Sequence, residues 1–305
     1  MMNIRAAMGG ISGILVTPFD ENDRPAPRRL QPIVDRAVRA GVHLLVANGN
    51  TGEFYGLQTA EAEAMVHAAA EVIDGRVPLI GGVGRSIHDA CAVARASRKA
   101  GASALMVHQP PDPFVAPRGI VEYVRRVADA GGGLPLMIYL RNDAIGLPAI
   151  EELCGVPNVI GVKWACPTPL RLAEAIRRSD KSIVWVCGLA ETWAPPLYAV
   201  GARGFTSGLI NVWPERSVAI HAALAAQRYD QAQALINEIA AFEDIRAEEQ
   251  NGTNVTVVKS ALKLIGNDCG PTRPPSAWPL TSAQSQKLAA LLARWPLETK
   301  IAAGD

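Results

Sequence analysis

Of the 30 basic residues in this 305-residue chain, 23 are arginines and seven are lysines: Lys99, Lys163, Lys181, Lys259, Lys263, Lys287 and Lys300. Lys163 stands apart. It lies in the apolar run Val159-Ile160-Gly161-Val162-Lys163-Trp164, whereas Lys99 closes a helix, Lys181 sits in a polar loop, Lys259 and Lys263 share a helix face, Lys287 is on the last helix and Lys300 is in the tail. Burying an ammonium is costly, so the group tends to lose its proton. A neutral amine in a dry pocket attacks carbonyls and forms a Schiff base. A lysine that snorkels out of the strand end, or pairs with a carboxylate, also fits the position.

Tyr139 ends the preceding apolar run, 134–139 (LPLMIY). A phenol there can shuttle the protons that Schiff-base chemistry requires; a core ring with a satisfied hydroxyl is the other reading. The turn Gly49-Asn50-Thr51-Gly52-Glu53 supplies two glycines that permit close backbone approach. Asn50 and Thr51 add donors for a carboxylate, and Glu53 can cap or brace the turn. A plain tight turn has the same composition. Arg141 can clamp an acidic group bidentately or remain an exposed loop arginine. Gly188 ends a later apolar run, Ser207 is next to last in the final one, and the two complete the candidate substrate contacts, with Arg141 and Ser207 expected at the end of the substrate far from its carboxylate.

These residues need elements to hold them. Eight short apolar runs recur, at 11–17, 43–48, 78–83, 102–107, 134–139, 158–164, 183–188 and 204–208. The first seven lack polar alternation, as strands covered on both faces do. Helical spacing fills the intervals 27–40, 86–100, 117–130, 148–153, 168–178, 191–200 and 214–226, and Thr59 caps a further helix. Gly41, Gly101 and Gly201 lead helices into strands through left-handed C-caps. The repeat predicts an α/β fold, a (β/α)8 TIM barrel over residues 1–226; a doubly wound sheet is the alternative. Helical patterns at 229–249, 254–265 and 282–294 form a C-terminal helical extension over residues 227–305, which with Trp193 and Trp213 offers apolar surface for contacts between copies. In such a barrel the site lies where the strands end, which is where Asn50, Thr51, Tyr139, Arg141, Lys163, Gly188 and Ser207 fall.

Composition removes other classes. Hydrophobic residues make up 49% and the net charge is +1, which excludes disorder and argues against broad nucleic-acid binding. Five scattered cysteines fit buried small side chains in a reducing cytoplasm, not a disulfide scaffold. No apolar run of about 18 residues is long enough to span a membrane, and residues 1–10 do not read as a signal peptide. GxSxG, HExxH and P-loop patterns are absent, the five histidines are dispersed with only His108 near a strand end, and neither a metal nor another cofactor is expected.

Together these residues resemble the dihydrodipicolinate synthase / N-acetylneuraminate lyase family of class I aldolases. The likeness runs from Gly13-Ile14-Leu15-Val16-Thr17-Pro18-Phe19 through Gly49-Asn50-Thr51-Gly52-Glu53, Tyr139 and Gly161-Val162-Lys163 to residues 259–266 and Arg273-Pro274-Pro275. It implies Lys163 as the Schiff-base lysine, Tyr139 as the proton-shuttling tyrosine, Asn50 and Thr51 on the carboxylate of a 2-oxo acid, and a homo-oligomer, tetramer or dimer. The departures are informative. The synthases usually carry two threonines where this chain has Asn50-Thr51. They donate a tyrosine across a subunit interface after strand four, where this chain reads His108-Gln109-Pro110-Pro111-Asp112-Pro113. Gly52-Glu53-Phe54-Tyr55 and Tyr139-Leu140-Arg141-Asn142 look closer to the branch with 5-dehydro-4-deoxyglucarate dehydratase. The expected activity is a Schiff-base lyase on a 2-oxo acid, foremost a 2-keto-3-deoxy sugar acid. Dihydrodipicolinate synthase, condensing pyruvate with aspartate semialdehyde, is the enzymatic alternative; a non-catalytic barrel that binds a small acid is the alternative from another class.

Overall fold

The computed structural model describes residues 3–275 and 278–297; Lys300 lies outside them. Eight parallel strands close a barrel in chain order: β1 (Ile11–Ile14), β2 (Leu44–Ala47), β3 (Leu79–Val83), β4 (Ala104–His108), β5 (Leu136–Leu140), β6 (Val159–Trp164), β7 (Val184–Cys187) and β8 (Gly204–Ser207), with β8 pairing back onto β1. Each strand falls within its apolar run or extends it by one residue. Nearly all strand positions are buried because both faces are covered, one by the barrel interior and one by helices.

In chain order the helices are α1 (Ile4–Met8), α2 (Gln31–Ala40), α3 (Thr59–Ile73), α4 (Ile87–Lys99), α5 (Pro117–Gly131), α6 (Leu147–Cys154), α7 (Pro169–Arg178), α8 (Ala194–Ala199), α9 (Pro214–Ala225), α10 (Tyr229–Asn251), α11 (Asn254–Leu264) and α12 (Ser282–Leu292). Gly41 forms a left-handed C-cap, and Gly101 and Gly201 also take positive φ. Three local expectations change. Gln58, not Thr59, is the N-cap of α3, because Glu61 returns to the Gln58 N–H; Thr59 donates to Asp89 instead. The helix expected over 191–200 starts only at Ala194, which leaves Glu191 in the preceding turn. Trp213, expected to offer surface for contacts, is buried against Trp295 at 4.7 Å between ring centroids.

α1 plugs the end of the barrel opposite the site. Met8 joins an interior cluster with Leu44, Val46, Ile80, Met106 and Met137. Burying such side chains stabilises by about 1.5–3 kcal/mol each and makes the lumen a core, not a pore. At the other end, α10 packs on α9 and α11. Its last turn breaks at Glu248, after which Glu249, Gln250 and Asn251 all take positive φ. None of the helices among the described residues is long and apolar enough to cross a membrane.

Candidate functional site

Strand register sets the floor of the site. His108 pairs with Tyr139 across β4 and β5, and Tyr139 pairs with Lys163 across β5 and β6. The three side chains therefore form one row at the barrel's C-terminal end. The Lys163 amine sits over the Tyr139 ring, 3.7 Å from its centroid. Lys163 is 3% exposed and has no carboxylate partner among the described residues. Burial, aided by the Arg141 cation, brings its amine from the ordinary 10.5 down to about 7. Among the described residues Lys163 neither snorkels to solvent nor pairs with a carboxylate.

Tyr139 is equally enclosed, and burial pushes its phenol up to about 12. Its hydroxyl accepts a 2.9 Å hydrogen bond from Asn50 Nδ2. An amide cannot pass a proton on, so Asn50 orients the hydroxyl and leaves the phenolic proton available to a ligand. The Asn50 Oδ1 is buried without a partner, an open acceptor in the same place.

The turn that carries Asn50 is tight for a steric reason. Residues Asn50–Gly52 form a 3-10 turn, and Thr17 Oγ1 donates to the Gly52 carbonyl at 2.6 Å. A Cβ on Gly52 would meet the Leu15 carbonyl oxygen at 2.9 Å, too close for any other residue. Glu53 follows with φ 55° and is 2% exposed. Its Oε1 pairs with Lys259 Nζ at 2.5 Å, and its Oε2 accepts from the Arg273 N–H at 2.7 Å. The C-terminal extension thus braces the turn from below.

Asn50, Thr51, Tyr139, Arg141, Lys163 and Gly188 all line one cavity of about 740 Å³. Gly188 lies against the Ala165 backbone, where a Cβ would come within 3.0 Å of its nitrogen. Ser207 does not line the cavity. Successive strand residues face opposite sides, and on β8 Thr206 takes the cavity face. Ser207 points outward, is fully buried, and bonds Glu191 Oε1 at 2.5 Å and Ser217 Oγ at 3.1 Å. The expectation of a substrate contact at Ser207 is corrected on that geometry. Burial raises the Glu191 carboxyl above its usual range, helped by the nearby Glu243.

The extension also supplies cavity residues that sequence reasoning did not single out. Arg246, on α10, is 4% exposed, pairs with Glu243 at 2.7 Å and bonds Asn254 Oδ1 at 3.0 Å. A Cβ on Gly208 would meet its guanidinium at 2.7 Å. Tyr55 lines the cavity as well, one turn beyond Asn50; it belongs to the Gly52-Glu53-Phe54-Tyr55 motif, which therefore reaches the pocket as well as bearing on the branch. His108 is 1% exposed, and burial together with the Lys163 charge lowers its pKa to about 3. Among the described residues no three His, Cys, Asp or Glu side chains gather as a metal site.

A buried amine low enough to be partly neutral at neutral pH, a phenol beside it, and a turn with open donors can capture a carbonyl compound bearing an anionic group. The model of the Dihydrodipicolinate synthetase family matches residues 7–294. The chain is similar to a probable 5-dehydro-4-deoxyglucarate dehydratase of Rhizobium rhizogenes, at 28% identity covering 95% of this chain and 96% of that one. It is similar to a 4-hydroxy-tetrahydrodipicolinate synthase of Methanoculleus marisnigri, at 30% identity covering 87% and 92%. The crystal structure of a dihydrodipicolinate synthase from Bacillus clausii superposes with a TM-score of 0.92 at 34% identity, covering 97% of this chain and 100% of the other.

Proposed function

The chain is a lyase of the dihydrodipicolinate synthetase family, and from that premise we propose that it forms a Schiff base between Lys163 and a 2-oxo acid, foremost a 2-keto-3-deoxy sugar acid. The unpaired, buried Lys163 amine at about 7 carries this reading. The neutral amine adds to the C2 carbonyl. The carbinolamine oxygen leaves as water after taking a proton that Tyr139 relays. Asn50, Thr51 and the turn's N–H groups hold the C1 carboxylate, and Arg141 and Gly188 meet the remainder of the substrate. The resulting iminium is an electron sink: loss of a C3 proton gives the enamine that expels the C4 hydroxyl as water in dehydration, with or without decarboxylation, whereas in C–C cleavage the enamine forms as the C3–C4 bond breaks and the C4 hydroxyl gives up its proton. Asn50, in place of a hydroxyl that could pass protons, favours an elimination that needs one phenol over a condensation that needs a longer relay.

Borohydride reduction in the presence of pyruvate or a keto-deoxy sugar acid, followed by mass analysis, tests the core of this. The expected product is a stable adduct on Lys163. Its absence with every 2-oxo acid tried overturns the proposal. The synthase activity is the second reading, favoured by the names of the Methanoculleus and Bacillus proteins; incubation with pyruvate and aspartate semialdehyde separates the two, and little turnover is expected. A homo-oligomer accompanies either reading as a proposal, with the strongly exposed Phe114 and Leu170 as candidate contact surface.

A further inference from the structure

Arg246 is buried at the cavity and takes no part in the steps above. Its donors can be counted. Nη1 donates to both carboxylate oxygens of Glu243, at 2.7 and 2.9 Å, and Nη2 gives one hydrogen to Asn254 Oδ1 at 3.0 Å. A guanidinium carries five N–H donors, two of them on Nη2. Among the described residues no hydrogen bond takes the second Nη2 hydrogen, and Nε is buried without a partner. An unengaged charged donor in a buried place costs free energy until a ligand accepts from it.

Gly208 fixes where that open donor lies. A Cβ on Gly208 would meet Nη2 at 2.7 Å and the Thr51 hydroxyl oxygen at 3.1 Å. The two groups therefore flank one point of the cavity wall, and Gly208 keeps the point clear of any side chain. Its φ of −88° suits every residue type, so what the glycine supplies here is space. Nη2 can only donate, and a threonine hydroxyl can donate beside it; an oxygen anion satisfies both.

The guanidinium is also ordered before anything binds. Glu243 and Asn254 hold it from either side of the break in α10. Thr253 Oγ1 closes that break by donating to the Ile245 carbonyl at 2.6 Å and to the Glu248 carbonyl at 3.1 Å, and Asn254 follows directly. A side chain fixed in this way loses little further rotamer freedom on meeting a ligand. Pairing with Glu243 offsets its charge at a distance, so Arg246 acts by contact, as a directional charge-assisted donor.

Resting on the Schiff-base reading, we propose that Arg246 is a substrate-binding residue: its open Nη2–H and the Thr51 hydroxyl close on the C1 carboxylate of the bound 2-oxo acid beside Gly208. The carboxylate is then held between the barrel and the helical extension, and the site favours ketones that carry an ionised acid next to the carbonyl.

The test titrates the full chain with pyruvate and with methyl pyruvate, which keeps the ketone but masks the carboxylate, each read as the borohydride-trapped Lys163 adduct. The quantity of interest is the ratio of the two apparent affinities, which a general loss of active protein does not move. Arg246→Gln is expected to weaken pyruvate about tenfold to a hundredfold, the effect of one charge-assisted hydrogen bond, and to leave methyl pyruvate nearly unchanged. A six-carbon keto-deoxy sugar acid, with the same C1 group, should weaken by the same factor as pyruvate. An unchanged ratio of pyruvate to its ester overturns the inference. A loss confined to the sugar acid overturns it too, because Arg246 would then meet the far end of the substrate. Should Arg246→Gln not fold, Gly208→Ala serves instead: its methyl group enters the space between the two donors with every charge intact, so the ratio must fall, and no change overturns the inference. If the unaltered enzyme gives no adduct with any of the three compounds, the Schiff-base reading itself fails, and this inference with it.

Discussion

Two lysines are buried to nearly the same degree, Lys163 at 3% and Lys259 at 4% exposure, and the fold uses them in opposite ways. Lys259 meets Glu53 at 2.5 Å, donates to the Pro271 carbonyl at 2.8 Å and lies 4.3 Å from the centre of the Phe19 ring. Burial draws its pKa down, and the Glu53 charge works against that. Lys163 has an aromatic face and a neighbouring cation, with no carboxylate among the described residues to offset them. Burial alone therefore does not make a reagent of an amine. A buried amine with a counter-ion becomes a brace; a buried amine without one is left available for the proposed attack on a carbonyl.

The largest expected effect separates the two at once. Lys163→Met should abolish adduct formation and reduce turnover by roughly a thousandfold or more, yet stabilise the fold. The sign follows from linkage. The folded amine titrates near 7 and the unfolded one near 10.5, so the unfolded chain binds the proton more tightly and stability rises with pH between those values. Lys163→Met removes that slope, and at pH 7 and below it is expected to recover on the order of 4 kcal/mol, visible in denaturant titrations across pH. Lys259→Met should do the reverse. Stranding the Glu53 carboxylate is expected to cost about 3–5 kcal/mol, and adding Glu53→Gln should restore most of it. A similar loss in the double variant would mean that the ion pair is not the reason.

A smaller effect concerns pH. The rate of adduct formation should climb as pH rises through about 7, as the amine loses its proton. Arg141→Gln removes a cation that favours the neutral amine, so the limb should move to higher pH; a shift downward contradicts the electrostatic assignment. The smallest effect is a control. Lys263 is one helical turn from Lys259 but is 71% exposed beside Asp268, and Lys263→Met should change stability by no more than about 0.5 kcal/mol.

This pair also marks where sequence reading succeeds and stops. Lys163 is visible because five apolar neighbours surround it in a strand, and period and burial coincide there. Lys259 follows Val257 and Val258, but a helix exposes one face by default, and nothing local indicates that Glu53, some 200 residues earlier, covers that face. The barrel was legible for a related reason: each strand is a short apolar run that must be covered twice. Facing was harder. Thr206 and Ser207 are both small hydroxyl residues at a strand end, and only the register with β1 and β7 decides that Thr206 faces the cavity. The five-residue α1 is too short for any periodicity to register, and Trp213 looks like a surface aromatic until Trp295 is packed against it.

The left-handed stretch Glu249–Asn251 has a further consequence. Gln250 and Asn251 line the cavity, as do Glu243 and Arg246 just before the break and Asn254 just after it. Lys163 stands on a floor locked by the hydrogen-bonded register of eight strands, while part of the roof hangs from a single interrupted helix. Insertions or exchanges between positions 243 and 255 can therefore reshape what the pocket admits without moving Lys163 or Tyr139. Such a scaffold keeps one chemistry while it explores many substrates, and directed evolution towards a new acid should start from the roof.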